Sequence, residues 1–163
     1  MAQLKQVQIH GWLKDVSDNF AAIAPVGVDD GIGNLRVARF TYDLGVAANR
    51  TVGAHGTGVK IPANAIIMGG TLEVITAVTG ETNATLAVHT QAANDIQAAA
   101  AVSGAPWSTQ GRKAITPKIN TPESTGIKTT AEREITFTVG TAALLTGKVV
   151  GYLVFVEGLA PTA

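Results

Sequence analysis

Residues 148–157, KVVGYLVFVE, constrain the fold more than any other run in the chain, because they are apolar on both faces. A strand with one face in water alternates apolar with polar residues. This one does not, so it must be covered on both sides, centrally in a sandwich or by a neighbouring subunit. Two further runs do alternate. Residues 132–139, EREITFTV, place Ile135, Phe137 and Val139 on one face and Glu134, Thr136 and Thr138 on the other. Residues 36–44, RVARFTYDL, place Ala38, Phe40 and Tyr42 together, with Arg36, Thr41 and Asp43 as polar positions around them.

The best-defined local unit is residues 61–102. Pro62 cannot donate to a sheet ladder and belongs at an edge or at the first position of a strand. Residues 65–78 are too rich in Ile, Val and Thr for a helix, and Gly69-Gly70 marks a bulge or sharp bend. Leu72, Val74 and Val78 share a face with Thr76. Residues 79–83, TGETN, read as a hairpin connection to an antiparallel strand over 84–89, with Leu86 and Val88 inward and Thr85, Ala87 and His89 outward. Asn94-Asp95 then caps a short Ala-rich helix over 96–102, ended by Ser103-Gly104 before Pro106. Residues 45–60, with four glycines, read as a surface loop holding at most a short strand near Val59. Residues 112–119 form a segment that Pro117 demotes to a sheet edge.

Seven to nine strands at about 8–12-residue spacing, with no βαβ rhythm, give the fold class. It is all-β: an antiparallel jelly-roll-like β-sandwich with one short helix and an extended N-terminal arm. Residues 1–35 form the arm and loop, since the alternation of Leu4, Val7, Ile9 and Trp12 is loose and Pro25, Gly27, Asp29, Asp30, Gly31 and Gly33 cluster as turn-formers. The sandwich domain is residues 36–163. An arm carrying Trp12 and Phe20 with little core of its own needs something to lie against.

Composition limits the function classes. The absence of cysteine removes disulfides, thiolate metal sites and cysteine nucleophiles. Charged residues are 15% of the chain, well under the usual value of about 25%, so more surface is easily buried against another subunit. Twelve basic and twelve acidic residues cancel, which gives no global field for nucleic acid or an anionic membrane. No bilayer-length apolar run is present. The start MAQLKQVQIHGW has no apolar signal core, so the expectation is synthesis in a cytoplasm.

No arrangement of catalytic type appears. His10, His55 and His89 are far apart, with no metal-ligand spacing among them; His55 reads as exposed in its Gly-rich loop and His89 as a solvent or interface residue. Residues 29–34, DDGIGN, lack the spacing of a calcium loop and read as a turn. There is no G-x-S-x-G, and Ser103 and Ser108 have structural explanations at a helix end and a loop. Arg112, Lys113, Lys118 and Lys128 concentrate basic charge in one third of the chain, accompanied only by Trp107. Without interleaved aromatics this is a solvated or partner-facing patch rather than a nucleic-acid platform. The chain therefore reads as a non-enzyme with no catalytic, cofactor-binding or metal site.

The run IPANAIIMGGTLEVITAVTGETNATLAVHTQAANDIQAAAAVSG resembles a pattern in tailed-bacteriophage virion proteins: a proline-led entry, an apolar strand, a hairpin with a polar turn and a short helix. It covers about a quarter of the chain. The resemblance implies a head decoration or cement protein, a β-sandwich that assembles as a homotrimer on the capsid exterior and clamps the major capsid protein. In that expectation Trp12, Phe20, Arg112 and Lys113 contact the capsid, and Tyr152, Val154 and Val156 pack at the subunit interface. The alternative expectation is a tail-fibre or receptor-binding module that recognises carbohydrate with Trp107 and Tyr42 as stacking surfaces.

Overall fold

A computed structural model describes residues 35–115 and 127–157. The N-terminal segment read as an arm, with Trp12 and Phe20, lies outside the described residues, as do Pro117 and Lys118. Eight strands follow in chain order: β1 (Leu35–Asp43), β2 (Gly53–Ile61), β3 (Ile66–Gly80), β4 (Thr85–His89), β5 (Gln97–Ala101), β6 (Gly111–Ala114), β7 (Arg133–Gly140) and β8 (Leu144–Val156). They form two four-stranded sheets, ordered β1-β8-β3-β6 and β2-β7-β4-β5, and every pairing is antiparallel. The result is a jelly-roll-like sandwich.

The alternating runs of the sequence supply the inner faces. Phe40 and Tyr42 of β1, Leu72 and Val74 of β3, and Val149, Leu153 and Phe155 of β8 are buried from the first sheet. Leu86 and Val88 of β4 and Ile135, Phe137 and Val139 of β7 meet them from the second. Tyr42 and Phe137 stack with ring centroids 4.3 Å apart and planes at 4°, and Phe40 tilts against Phe137 at 5.9 Å. Each such side chain contributes on the order of 1.5–3 kcal/mol by leaving water. Burial also pushes the Tyr42 phenol well above its usual pKa range, and its hydroxyl donates to the Asn49 carbonyl at 2.5 Å. Gly151 of β8 lies opposite Phe40, and a Cβ there would overlap the Phe40 ring. The doubly apolar run thus runs centrally in the first sheet, between β1 and β3.

Several local expectations are corrected. Residues 96–102 are not a helix: β5 occupies Gln97–Ala101 and pairs with β4. The Asp95 carboxylate does not cap a helix but accepts the backbone N–H groups of Thr90, Gln91 and Ala92 at 2.8–2.9 Å, closing a tight loop behind it. Nucleating a two-turn helix is unfavourable, and the modest preference of alanine for helix loses to a ready ladder on β4. Residues 79–83 are not a hairpin, because β3 and β4 belong to different sheets. Val78 and Ala84 are both buried, and the chain between them crosses the rim of the sandwich, where Glu81 N–H donates to the Ala143 carbonyl at 2.9 Å.

Residues 45–60 hold more structure than a loop. A 3-10 turn at Ala47–Arg50 precedes the nine-residue β2. Its glycines disguise it, and at Gly56 a neighbour takes the side chain's place: a Cβ there would overlap the Glu134 carboxylate, and that carboxylate accepts Gly58 N–H at 2.6 Å. This fixes the bulge by which β2 shifts register on β7 between Gly56 and Lys60. His55 is accordingly half-buried on a strand, with Nε2 2.7 Å from the Thr51 carbonyl oxygen. Pro62 follows the end of β2 rather than leading β3. Finally, Thr76 is exposed instead of sharing the buried face of Leu72, Val74 and Val78, because the β3–β8 register shifts on either side of it.

Other expectations hold. β3 shifts register between Ile67 and Gly69, at the glycine pair, and β6 is an edge strand. Residues 127–129 cover the remaining edge of β3: Ile67 N–H donates to the Ile127 carbonyl and Thr129 N–H to that of Ala65, each at 2.9 Å.

Candidate interaction surface

Among the described residues no group of three or more His, Asp or Glu side chains is close enough to hold a metal ion. A cavity of about 510 Å³ opens at the β3–β4 crossing, lined by Val78, Glu81, Asn83, Ala84, Ser103 and Ser108 among others. It brings one carboxylate and two serine hydroxyls together with no histidine beside them. His89 is half-buried with Nδ1 3.2 Å from the Thr138 hydroxyl, on the outer face of the second sheet. The three salt bridges among the described residues, Arg36–Glu157, Lys60–Glu132 and Lys148–Asp43, are all well exposed and do not mark a site. The Lys148 ammonium and the Gly45 N–H hold the Asp43 carboxyl below its usual pKa, and Glu132 holds Lys60 above its own.

The outstanding surface feature is the outer face of the first sheet. Parity along β8 sends Val149, Gly151, Leu153 and Phe155 into the core, which sends Tyr152, Val154 and Val156 outward, where they are half-buried. In register, Val156 has Leu35 on one side and Ile66 on the other, Val154 has Val37 and Gly69, and Tyr152 has Arg39 and Thr71. The β3 bulge places Met68 as an extra residue beside this row. Leu35 is 50% exposed, Val37 61%, Ile66 38% and Met68 61%. Eight large apolar side chains are exposed among the described residues, and these four meet at one end of one sheet face.

Lys128, bridged to Ile66, brings one exposed cation to this end, and more charge lies at the other end of the same face. Arg112 of β6 lies opposite Glu73, and Lys148 pairs with Asp43 at 2.9 Å. The structure therefore brings Arg112 onto the face of Tyr152, Val154 and Val156 but not Lys113, whose register partner is the inward Leu72 and whose ammonium donates to the Thr109 hydroxyl at 2.8 Å. Tyr152, Val154 and Val156 were legible in sequence from the doubly apolar run. Leu35, Val37, Ile66 and Met68 were not singled out, since only strand register unites them. The sugar-stacking expectation fails on geometry: Trp107 and Tyr42 are both fully buried and offer no ring face to a ligand.

No protein-family model matches the sequence, and no curated protein matches it. The fold has solved counterparts. The chain is similar to a chain in the capsid asymmetric unit of cyanophage Pam1, with a TM-score of 0.56 and 17% identity over 84% of this chain and 96% of that one. It is similar to a chain in the capsid of Ralstonia phage GP4, with a TM-score of 0.54 and 19% identity over 85% and 94%. It is also similar to a chain in the capsid of Helicobacter pylori bacteriophage KHP30, a structure described as an acidic stable capsid, with a TM-score of 0.52 and 12% identity over 79% and 90%. At these identities the likeness is one of fold: the sandwich described above is a fold found in phage capsids.

Proposed function

We propose that this chain is a structural component of a bacteriophage particle, and more specifically a head decoration or cement protein that binds the assembled capsid from outside and stabilises it. The observation that carries the reading is the extent of the fold match: 90–96% of each phage chain is matched by 79–85% of this one. The counterparts are thus small single-sandwich chains rather than fragments of large shell proteins. The lack of a grouped catalytic or metal constellation among the described residues is compatible with a structural role, and an apolar outer face is what an assembling component needs.

In this reading the partner is the major capsid protein, the protein self-associates as a homotrimer, and it is made in the host cytoplasm. Residues 1–35 serve as an arm that brings Trp12 and Phe20 to the capsid, with Arg112 and Lys113 as further contacts; Tyr152, Val154 and Val156 belong to the subunit interface. The test is to add purified protein to capsids stripped of it and measure co-sedimentation and the temperature at which the capsids rupture. Saturable binding at a fixed copy number per capsid, with a raised rupture temperature, is expected. Removing residues 1–32 is expected to abolish attachment while leaving the β-sheet circular dichroism unchanged. Absence of binding by the intact chain refutes the decoration role.

A further inference from the structure

We infer that the outer margin of the first sheet, formed by β6 and by residues 127–129, binds an extended acidic segment of a partner protein as an added strand. The inference rests on the reading of Arg112 and Lys113 as partner contacts and gives that contact its partner chemistry and its mode of binding.

The backbone comes first. β6 lies opposite residues 71–74 of β3, and Lys128 bridges to Ile66 in the same antiparallel sense. Since β8 occupies the other side of β3, β6 and residues 127–129 share one side and form one margin. Ile115 N–H donates to the Gly70 carbonyl at 3.4 Å, Ile67 N–H to the Ile127 carbonyl and Thr129 N–H to that of Ala65. Backbone groups alternate in direction along a strand, so Arg112, Ala114 and Lys128 turn their N–H and C=O groups away from β3. All three residues are exposed, and among the described residues no strand lies beyond β6. Such a margin is the template on which an extended peptide adds as a further strand.

Charge selects the kind of peptide. From Gly111 to Thr129 the sequence has four basic residues and one acidic, in a chain that is neutral overall. Arg112, Lys113 and Lys128 join none of the salt bridges among the described residues, which all lie elsewhere. Glu73 lies opposite Arg112 without bridging to it and lowers the positive charge of the margin without cancelling it. The other margins lack this combination. β1 mixes Arg36 and Arg39 with Asp43, β5 has no charged residue, and β2 is bulged under Glu134. Along β3 the partners of Arg112 and Lys128 are Glu73 and Ile66, which sets the two cations about 20 Å apart on the outer face. An added strand of about seven residues with a carboxylate near each end, both on that face, meets them together. A nucleic acid matches the charge but has no use for the free N–H and C=O groups. Trp107, beside the basic run in sequence, is fully buried and offers it no stacking surface.

The experiment titrates the full chain into a labelled peptide of about seven residues, threonine and valine alternating between two terminal glutamates, and follows fluorescence anisotropy at low salt. The same peptide with lysine for glutamate, the same peptide with every backbone nitrogen methylated, and a single-stranded thymidine oligonucleotide are the comparisons. The glutamate peptide is expected to bind at least about tenfold more tightly than the lysine and methylated peptides, and more weakly as salt is raised. Arg112→Gln with Lys128→Gln is expected to weaken it at least about tenfold, and Arg39→Gln on β1 by less than about twofold; circular dichroism confirms that each variant is folded. A glutamate peptide that binds no better than the lysine peptide overturns the inference. So does equal binding of the methylated peptide or the oligonucleotide, which makes the margin a site for polyanions at large. Self-association of the wild type that the Arg112→Gln, Lys128→Gln variant loses makes a second copy the occupant and overturns it too. If the protein binds capsids but not the glutamate peptide, this inference falls and the decoration role stands; if it binds the peptide as expected but not capsids, the decoration role falls alone.

Discussion

The two sheets close on the same core, yet their outer faces differ in chemistry. That of the second sheet carries Thr136 and Thr138 of β7, Ala54 and Gly56 of β2 in register with them, and Thr85 and His89 of β4. Its hydroxyls are spent locally, Thr136 on the Glu134 carbonyl and Thr138 on His89. The first sheet presents Leu35, Val37, Ile66 and Met68 to solvent. Threonine and valine have the same shape and similar strand preference, so folding alone does not require the difference. What it teaches is that one sheet turns a polar outer face to water while the other keeps large apolar side chains exposed at one end.

The largest expected effect breaks both faces at once. Phe137 packs on Phe40 and Tyr42 at the centre, and Phe137→Ala is expected to cost about 3–5 kcal/mol. Urea denaturation followed by Tyr and Trp fluorescence and by circular dichroism is expected to show one transition, shifted to lower urea; a two-step loss would mean the sheets do not share a core. Exchanging the faces sharpens the comparison. Val37→Thr with Met68→Thr is expected to weaken self-association, and Thr136→Val with Thr138→Val to create it on the second sheet, while folding stability moves by only about 0.5 kcal/mol or less in each case. Gel filtration over a concentration series reads this directly.

The smallest effect concerns the charged end of the first face. Asp43 has its pKa lowered in the folded state, first by its hydrogen bond to Lys148 and then by Gly45 N–H. Its stabilisation is therefore present above the unfolded carboxylate pKa and lost as pH falls through the lower folded value. Asp43→Asn is expected to flatten slightly the decline in melting temperature from neutral to strongly acid pH and to change nothing above neutrality. An unchanged acid slope would show that the pair contributes no pH dependence.

Where local chemistry decided the structure, the sequence was readable. β1, β7 and β8 follow from alternation and from β-branched and aromatic content, and the burial of Ala38, Phe40, Tyr42, Ile135, Phe137 and Val139 agrees with their parity. Where a partner decided it, the sequence misled. β2 hides behind glycines, over one of which, Gly56, lies the carboxylate of Glu134, which also accepts the Gly58 N–H from 76 residues away. β5 has the composition of a helix, and the Asp95 that looks like its cap is committed to the loop behind it. The TGETN turn has hairpin residues, but the strands it joins find better partners in separate sheets. The contact surface was half legible for the same reason: Tyr152, Val154 and Val156 are consecutive in parity, whereas the residues beside them come from strands distant in sequence.

The Glu134 carboxylate over Gly56 also bears on how far assembly can run. β2 lies at the margin of its sheet, and a straight margin of unpaired N–H and C=O groups invites another chain to add as a further strand, then another, without end. By accepting the Gly58 N–H and fixing the bulge there, this side chain keeps that margin from running straight. Growth in rows is discouraged on that side.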